Sequence, residues 1–138
     1  MSGFAEVSDI LWRERELLDL LLFKLDSERL LLRAGSVQWL ARSTHEVDLV
    51  LEQLQLVEVT RALEVDDLAA QLGMHPGATL SELAAAAPTP WAELFQAHRA
   101  AFRTLIEEVT DLAETNQRAL REACVTSERR LATLRVPV

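Results

Sequence analysis

The chain has few of the residues that break helices and form tight turns: its 138 residues include four glycines, four prolines and no tyrosine. An all-β fold needs many turns, so this composition argues against one. The single cysteine, Cys124, cannot form an internal disulfide, which fits a reducing compartment. The most apolar run, residues 17–25, is interrupted by Asp19 and Lys24 and has about half the length that a membrane span needs.

Positive charge is also scarce. There are 14 Lys and Arg residues against 22 Asp and Glu residues, a net charge of −8. Because an acidic protein repels phosphate backbones and anionic lipids, we expect no nucleic-acid partner and no membrane insertion. Residues 1–6 lack the basic and then apolar pattern of a signal peptide. We therefore expect a cytoplasmic protein with one core.

The residue patterns that carry catalysis or bind metals are missing as well. His45, His75 and His98 are far apart and have no Cys or carboxylate partners at metal-ligand spacing. Cys124 has no histidine nearby to activate it, and neither a phosphate-binding glycine loop nor a Glu-x-x-His motif occurs. The sequence thus predicts no enzyme, no catalytic residue, no metal and no cofactor, and His98 is expected to be a packed or edge residue.

Long helix-forming stretches are what the chain does contain. Residues 36–72 and 91–136 have neither glycine nor proline and are rich in Leu, Ala, Glu, Arg and Gln. We predict one all-α domain over residues 1–138, an elongated antiparallel bundle of three long helices and one short helix. The predicted helices span about 8–33, 36–72, 80–87 and 90–134.

Local residue choices predict where these helices begin and end. Gly35 and Gly73 are expected just past two helix ends, where glycine adopts a left-handed conformation. Ser8 and Ser36 are expected to cap the first and second helices. Thr79 and Glu82 match a capping box, and Thr89-Pro90 is expected to provide a cap followed by proline in the first helical position.

Each of the three long predicted helices carries an apolar stripe, and the stripes are expected to face one another around one core. Polar residues interrupt two of these stripes. Glu58 and Arg61 lie three residues apart on the core side of the second helix, so they can pair. Asn116 lies in the stripe of the last helix. We expect these side chains to reach the bundle edge, and the alternative is a buried polar link that fixes helix register.

Two helices also carry apolar residues opposite their core stripes. These residues are Leu49, Leu56, Val59 and Leu63 on the second helix, and Trp12, Phe23 and Leu30 on the first. One interpretation is that they are half-covered or singly exposed, which is common. The other is a second apolar face for a partner helix or a second copy of the chain.

Several short motifs follow one another in a recognisable order. The first helix is leucine-rich at Leu17-Leu18-Asp19-Leu20-Leu21-Leu22, and a small-residue break follows at Ala34-Gly35. The second helix carries Arg61 and ends in Leu68-Ala69-Ala70-Gln71-Leu72-Gly73. A Leu-Ser-Glu-Leu segment at 80–83 precedes a long last helix with an Asn-x-x-x-Leu step, Asn116 to Leu120. Over about residues 11–134, this order of motifs resembles the FlgN family of flagellar export chaperones.

The resemblance implies a small cytoplasmic chaperone, without ATPase activity, of the flagellar type III export system. Such proteins bind the C-terminal helices of hook-associated proteins and deliver them to the export gate, so hook-associated proteins and export-gate components are the implied partners. Arg61 and Asn116 are the family-matching structural residues. The competing hypothesis is a self-associating coiled-coil scaffold, a homo-oligomer with no client.

The end of the last helix is the predicted client-binding region. This helix is predicted to be the longest, so its end is expected to overhang the bundle, where a thin apolar stripe cannot hold a helix without a partner. Arginines beside the stripe favour an acidic client segment. The candidate residues are Leu120, Cys124, Leu131, Leu134, Arg121, Arg129 and Arg130. The alternative is that this end packs on the first helix as ordinary core.

Overall fold

The computed structural model describes residues 3–122, which form α1 (Gly3–Ala34), α2 (Val37–Gln71), α3 (Leu80–Ala86) and α4 (Trp91–Glu122). Within this range there is no strand. The prediction of an all-α fold with three long helices and one short helix is confirmed. Residues 123–138, onto which the last helix was predicted to continue, lie outside the described part of the chain.

Side-chain contacts fix the directions of the long helices. Lys24 contacts Glu46 and Glu14 contacts Arg61, so α1 and α2 run antiparallel. Ser8 contacts His98. Asn116 contacts the carbonyl of Leu25, so α4 runs parallel to α1. The long helices therefore run up, down and up, with α1 packed against both α2 and α4, and α3 packed on α4.

The two predicted glycine stops are confirmed. Gly35 has φ of 65° and Gly73 has φ of 71°, in the left-handed region where glycine carries no Cβ penalty. After α1, the Gly35 N–H donates to the Leu32 carbonyl and the Ser36 N–H to the Leu31 carbonyl. These two bonds satisfy carbonyls that the helix end leaves without partners, and they turn the chain into a tight hairpin.

Two predicted helix starts are corrected, one is confirmed in position only, and one is confirmed in full. The α1 helix begins at Gly3, so Ser8 is not a cap; it is buried inside the helix against His98. Ser36 is at the N-cap of α2 but its side chain makes no capping hydrogen bond. The Pro90 carbonyl accepts from the Leu94 N–H and α4 begins at Trp91, so Pro90 precedes the helix. Thr79 caps α3 as predicted.

The core follows a seven-residue pattern on α1. Val7, Leu11, Leu18, Leu21 and Leu25 are fully buried, at successive steps of four, seven, three and four residues. This spacing holds one face of a helix against its neighbours. Phe95 and Phe102 of α4 are also fully buried and fill the same core cluster. No helix within residues 3–122 combines the length and apolarity needed to cross a membrane.

Candidate functional site

A buried ion pair joins α1 to α2. Arg61 Nε lies 3.3 Å from Glu14 Oε1, with the Arg61 and Glu14 side chains 7% and 0% exposed. The prediction that Arg61 reaches the bundle edge is wrong, because its position on α2 faces α1 rather than the solvent. Burial raises the pKa of Glu14 to about 7, although the Arg61 charge acts in the opposite direction. A buried ion pair of this kind links two helices at a fixed register.

A second buried polar link joins all three long helices. Asn116 Nδ2 donates to the Leu25 carbonyl at 2.8 Å and to Glu28 Oε1 at 2.9 Å. Thr44 Oγ1 on α2 donates to Glu28 Oε2 at 2.9 Å. Asn116 is 1% exposed, so the prediction that it lies at the edge is wrong and the buried-link alternative describes its contacts. Glu28 connects the three helices, because its carboxylate accepts hydrogen bonds from both α2 and α4.

Sequence reasoning missed Glu14 and Glu28 as core residues. Both are fully buried. They lie seven residues from Val7 and Leu21, respectively, in the heptad pattern that places apolar residues in the core. That periodicity was the available signal, and it was hidden because glutamate is expected on the surface.

His98 forms a third buried contact, between α4 and α1. The Arg15 guanidinium lies 3.2 Å from His98 Nδ1, and since arginine only donates, Nδ1 accepts. The proton is therefore on Nε2, which donates to Ser8 Oγ at 3.2 Å. Burial, and then the Arg15 charge, lower the pKa of His98 to about 4. The prediction of a packed histidine is confirmed. No group of residues within 3–122 could hold a metal ion.

The seven apolar residues predicted for a second face are all exposed, on two different helices. Leu49, Leu56, Val59 and Leu63, which we call the α2 face, have exposed fractions of 42–72%. Leu56 lies beside a shallow depression shared with Ile10 and Arg13 of α1. On α1, Trp12, Phe23 and Leu30 are 46%, 64% and 53% exposed.

A long groove between α1 and α4 is a surface that sequence reasoning missed. Three adjoining depressions with volumes of about 580, 510 and 890 Å³ follow the contact between the two helices. Asp19 is shared by the first two and Leu112 by the last two, so they form one line, which we call the α1–α4 groove. Its walls include Trp12 and Phe23. Small residues on α4, Ala101 and Ala119, were the sequence signal for it.

Only two of the predicted client-binding residues, Leu120 and Arg121, lie in the described part of α4. Leu120 is fully buried and is therefore not part of an exposed stripe. Arg121 is exposed in the last turn of α4. Cys124, Arg129, Arg130, Leu131 and Leu134 lie outside the described residues. As far as Asn116, α4 packs on α1.

Comparison with known proteins gives one family. A family model described as FlgN protein matches residues 1–137. No curated protein and no solved structure matches the chain.

Proposed function

Because the chain belongs to the FlgN family of flagellar export chaperones, we propose that it binds C-terminal helical segments of hook-associated proteins in the cytoplasm and delivers them for export. The observation that carries this proposal is the family match over residues 1–137, nearly the whole chain. Hook-associated proteins are thus the proposed clients, and export-gate components receive them.

The surface of the bundle supports a role in binding protein segments. Large apolar side chains such as Phe23 and Val37 are more than 60% exposed. Apolar contact with an amphipathic helix needs no nucleotide hydrolysis, because burial of both apolar faces supplies the free energy. A client segment that is unfolded before export gains order only on binding.

The proposed client contacts are Cys124, Leu131 and Leu134, with Arg121, Arg129 and Arg130 beside them. Leu120 is left out because it is buried. Since α1 and α4 run parallel and Asn116 lies opposite Leu25, the end of α4 at Glu122 is level with the last turn of α1. A helix that continued past Glu122 would extend beyond the α1–α2 hairpin, where a client's apolar face could pack on it.

The test is a client pull-down with hook-associated proteins of the same organism. We expect Leu131→Asp with Leu134→Asp to abolish capture and leave the thermal melting temperature unchanged, because these residues are proposed to contact the client rather than the core. Leu56→Asp with Leu63→Asp is the matched control, with the same chemical change on exposed leucines of α2. A large drop in melting temperature with capture intact would refute the assignment and favour the core alternative.

A self-associating scaffold is the second candidate function. Its supporting observation is that Leu49, Leu56 and Leu63 recur every seven residues and are all exposed. Heptad-spaced leucines are the usual seam of a coiled coil. A dimer through the α2 face would bury them without any client.

A further inference from the structure

We propose that the α1–α4 groove is a docking surface for a partner protein's amphipathic helix whose apolar stripe is bordered by lysine or arginine. The residues that line this surface are not among the proposed client contacts, and the inference does not depend on the client proposal. It commits to a helix of basic character because of the groove's length, its apolar base and the charge of its borders.

The groove has the dimensions of a helix. From Trp12 to Arg33 it follows α1 for about 32 Å at 1.5 Å per residue, enough for some six turns of a bound helix. Neighbouring depressions share a lining residue, which is Asp19 for the first two and Leu112 for the last two. A third helix laid over two packed helices would lie in such a groove.

The base of the groove is apolar and half-covered. Leu22, Leu105 and Leu112 are partly buried and pack on the core cluster below. Ala101 and Ala119 have short side chains on the α4 side of the groove, so a partner helix can approach the backbone of α4 closely. Trp12 and Phe23 line the α1 side of the groove, with 46% and 64% of their surface exposed. Large exposed aromatic residues are typical anchors of protein interfaces.

The borders of the groove are acidic. Six carboxylates line it, against three arginines. Two of those arginines are already engaged within the chain. Arg15 lies 4.1 Å from the centre of the Trp12 ring and contacts His98, and Arg29 pairs with Asp26 at 2.7 Å.

The acidic groups on opposite sides of the groove remain available to a partner. Asp19 of α1 and Glu108 and Asp111 of α4 form no ion pair with another residue in the range 3–122. Lysines or arginines along both borders of a bound helix would meet these carboxylates on both sides of the groove.

The same charges disfavour other occupants. In a two-fold dimer through the groove, the same patch faces itself, so acidic borders would meet acidic borders. An anionic membrane surface is repelled for the same reason. A basic-bordered helix is the occupant that satisfies both the apolar base and the acidic walls.

The test uses the full chain and two synthetic helical peptides of about 20 residues. Both carry the same Leu and Ala stripe, bordered by lysine in one and by glutamate in the other. Titration calorimetry is expected to show binding of the lysine peptide and none of the glutamate peptide. Glu108→Lys with Asp111→Lys should lower the affinity for the lysine peptide about tenfold and allow the glutamate peptide to bind.

The matched control is Glu52→Lys with Asp67→Lys, which makes the same change of charge on exposed positions of α2. It should leave the affinity of the lysine peptide within about twofold of the unmodified chain. An equal loss in the control would overturn the proposal, because the peptide would then respond only to net charge. Absence of lysine-peptide binding would overturn it as well.

Two further outcomes would assign a different occupant and also overturn the proposal. One is a dimer in sedimentation that Glu108→Lys with Asp111→Lys dissociates, which identifies a second copy. The other is a gain in peptide affinity on Arg129→Glu with Arg130→Glu, which identifies the chain's own C-terminal segment. Client capture by the unmodified chain is assayed separately, so failure of either proposal leaves the other testable.

Discussion

At the scale of single residues, the most consequential feature is a core that contains ionisable groups. Glu14, Glu28, Arg61 and His98 are all buried. Groups of this kind cost free energy to bury and are tolerated when they are paired or hydrogen-bonded. Each of them lies between two helices, so each ties the stability of the bundle to its register.

Glu14 makes stability fall as pH rises toward neutrality. Its folded pKa of about 7 is above the ordinary 4.5, so the folded state holds the proton longer than the unfolded chain does. The stability that it contributes is therefore complete below pH 4.5 and is lost as pH rises through 7. We expect the urea midpoint of the unmodified chain to fall relative to that of Glu14→Gln between pH 5 and pH 7.5. Glu52→Gln on the surface of α2 should track the unmodified chain, and parallel curves for all three proteins would contradict the assignment.

Arg61→Ala should destabilise the protein by about 3 kcal/mol at pH 8, because Glu14 then loses its partner and must either stay charged in the core or take up a proton. At pH 5 the cost should be smaller, since Glu14 is then protonated. Replacing both residues by leucine should restore most of the loss. Denaturant unfolding with an unchanged slope measures each value. A cost below about 1 kcal/mol at both pH values would indicate an exposed pair.

At the scale of elements, the cap of α3 is the clearest case of a local motif acting alone. The Glu82 N–H donates to Thr79 Oγ1 at 3.1 Å and the Thr79 N–H donates to Glu82 Oε1 at 3.0 Å. The backbone and side-chain hydrogen bonds to Glu82 lower its pKa to about 2. The cap holds a short helix whose Leu80 and Leu83 are fully buried. These contacts join local hydrogen bonding to the core.

Thr79→Ala should therefore destabilise the protein by about 1 kcal/mol, because it leaves the Glu82 N–H without its acceptor. Thr79→Ser keeps the hydroxyl and should cost much less. Urea denaturation of the two variants and of the unmodified chain gives the comparison. Equal losses in both variants would show that the threonine methyl group, and not the capping bond, is responsible.

The helices could be predicted from sequence because their signals are local. Gly35, Gly73 and the Thr79–Glu82 box each act within a few residues of their own position, and all three are found as predicted. The start of α1 was misplaced because Ser8 is a good cap in isolation, yet here its hydroxyl bonds to His98 on another helix. Tertiary contacts of this kind override local preference.

The candidate surfaces were less predictable because they depend on which helices are neighbours. The stripe of α2 places Arg61 on the core side, but only the antiparallel packing of α1 and α2 shows that its partner is Glu14. The α1–α4 groove likewise exists because α1 lies between α2 and α4. No spacing within a single helix carries that information.

At the scale of the whole molecule, charge and exposed apolar surface are distributed unevenly. Seven acidic residues lie in the range 36–72 against Arg42 and the buried Arg61. Five arginines follow Asn116, against Glu122 and Glu128. The exposed leucines of the α2 face thus lie on an acidic helix, and the opposite charge is at the other end of the chain. This separation bears directly on whether the chain pairs with itself.

A symmetric dimer through the α2 face would bring two acidic helices together. Glu52, Asp66 and Asp67 lie along or beside the leucines, so a two-fold partner would oppose them with its own carboxylates. We expect the chain to sediment as a monomer at micromolar concentration in low salt. Leu56→Asp with Leu63→Asp should change neither this association state nor the melting temperature. At 0.1 M salt the repulsion between the carboxylates is screened beyond a distance of about 10 Å, so added salt should weakly favour association. A salt-independent dimer that Leu56→Asp with Leu63→Asp dissociates would contradict this expectation. It would support the scaffold function over the chaperone function, because the α2 face would then bind a second copy of the chain.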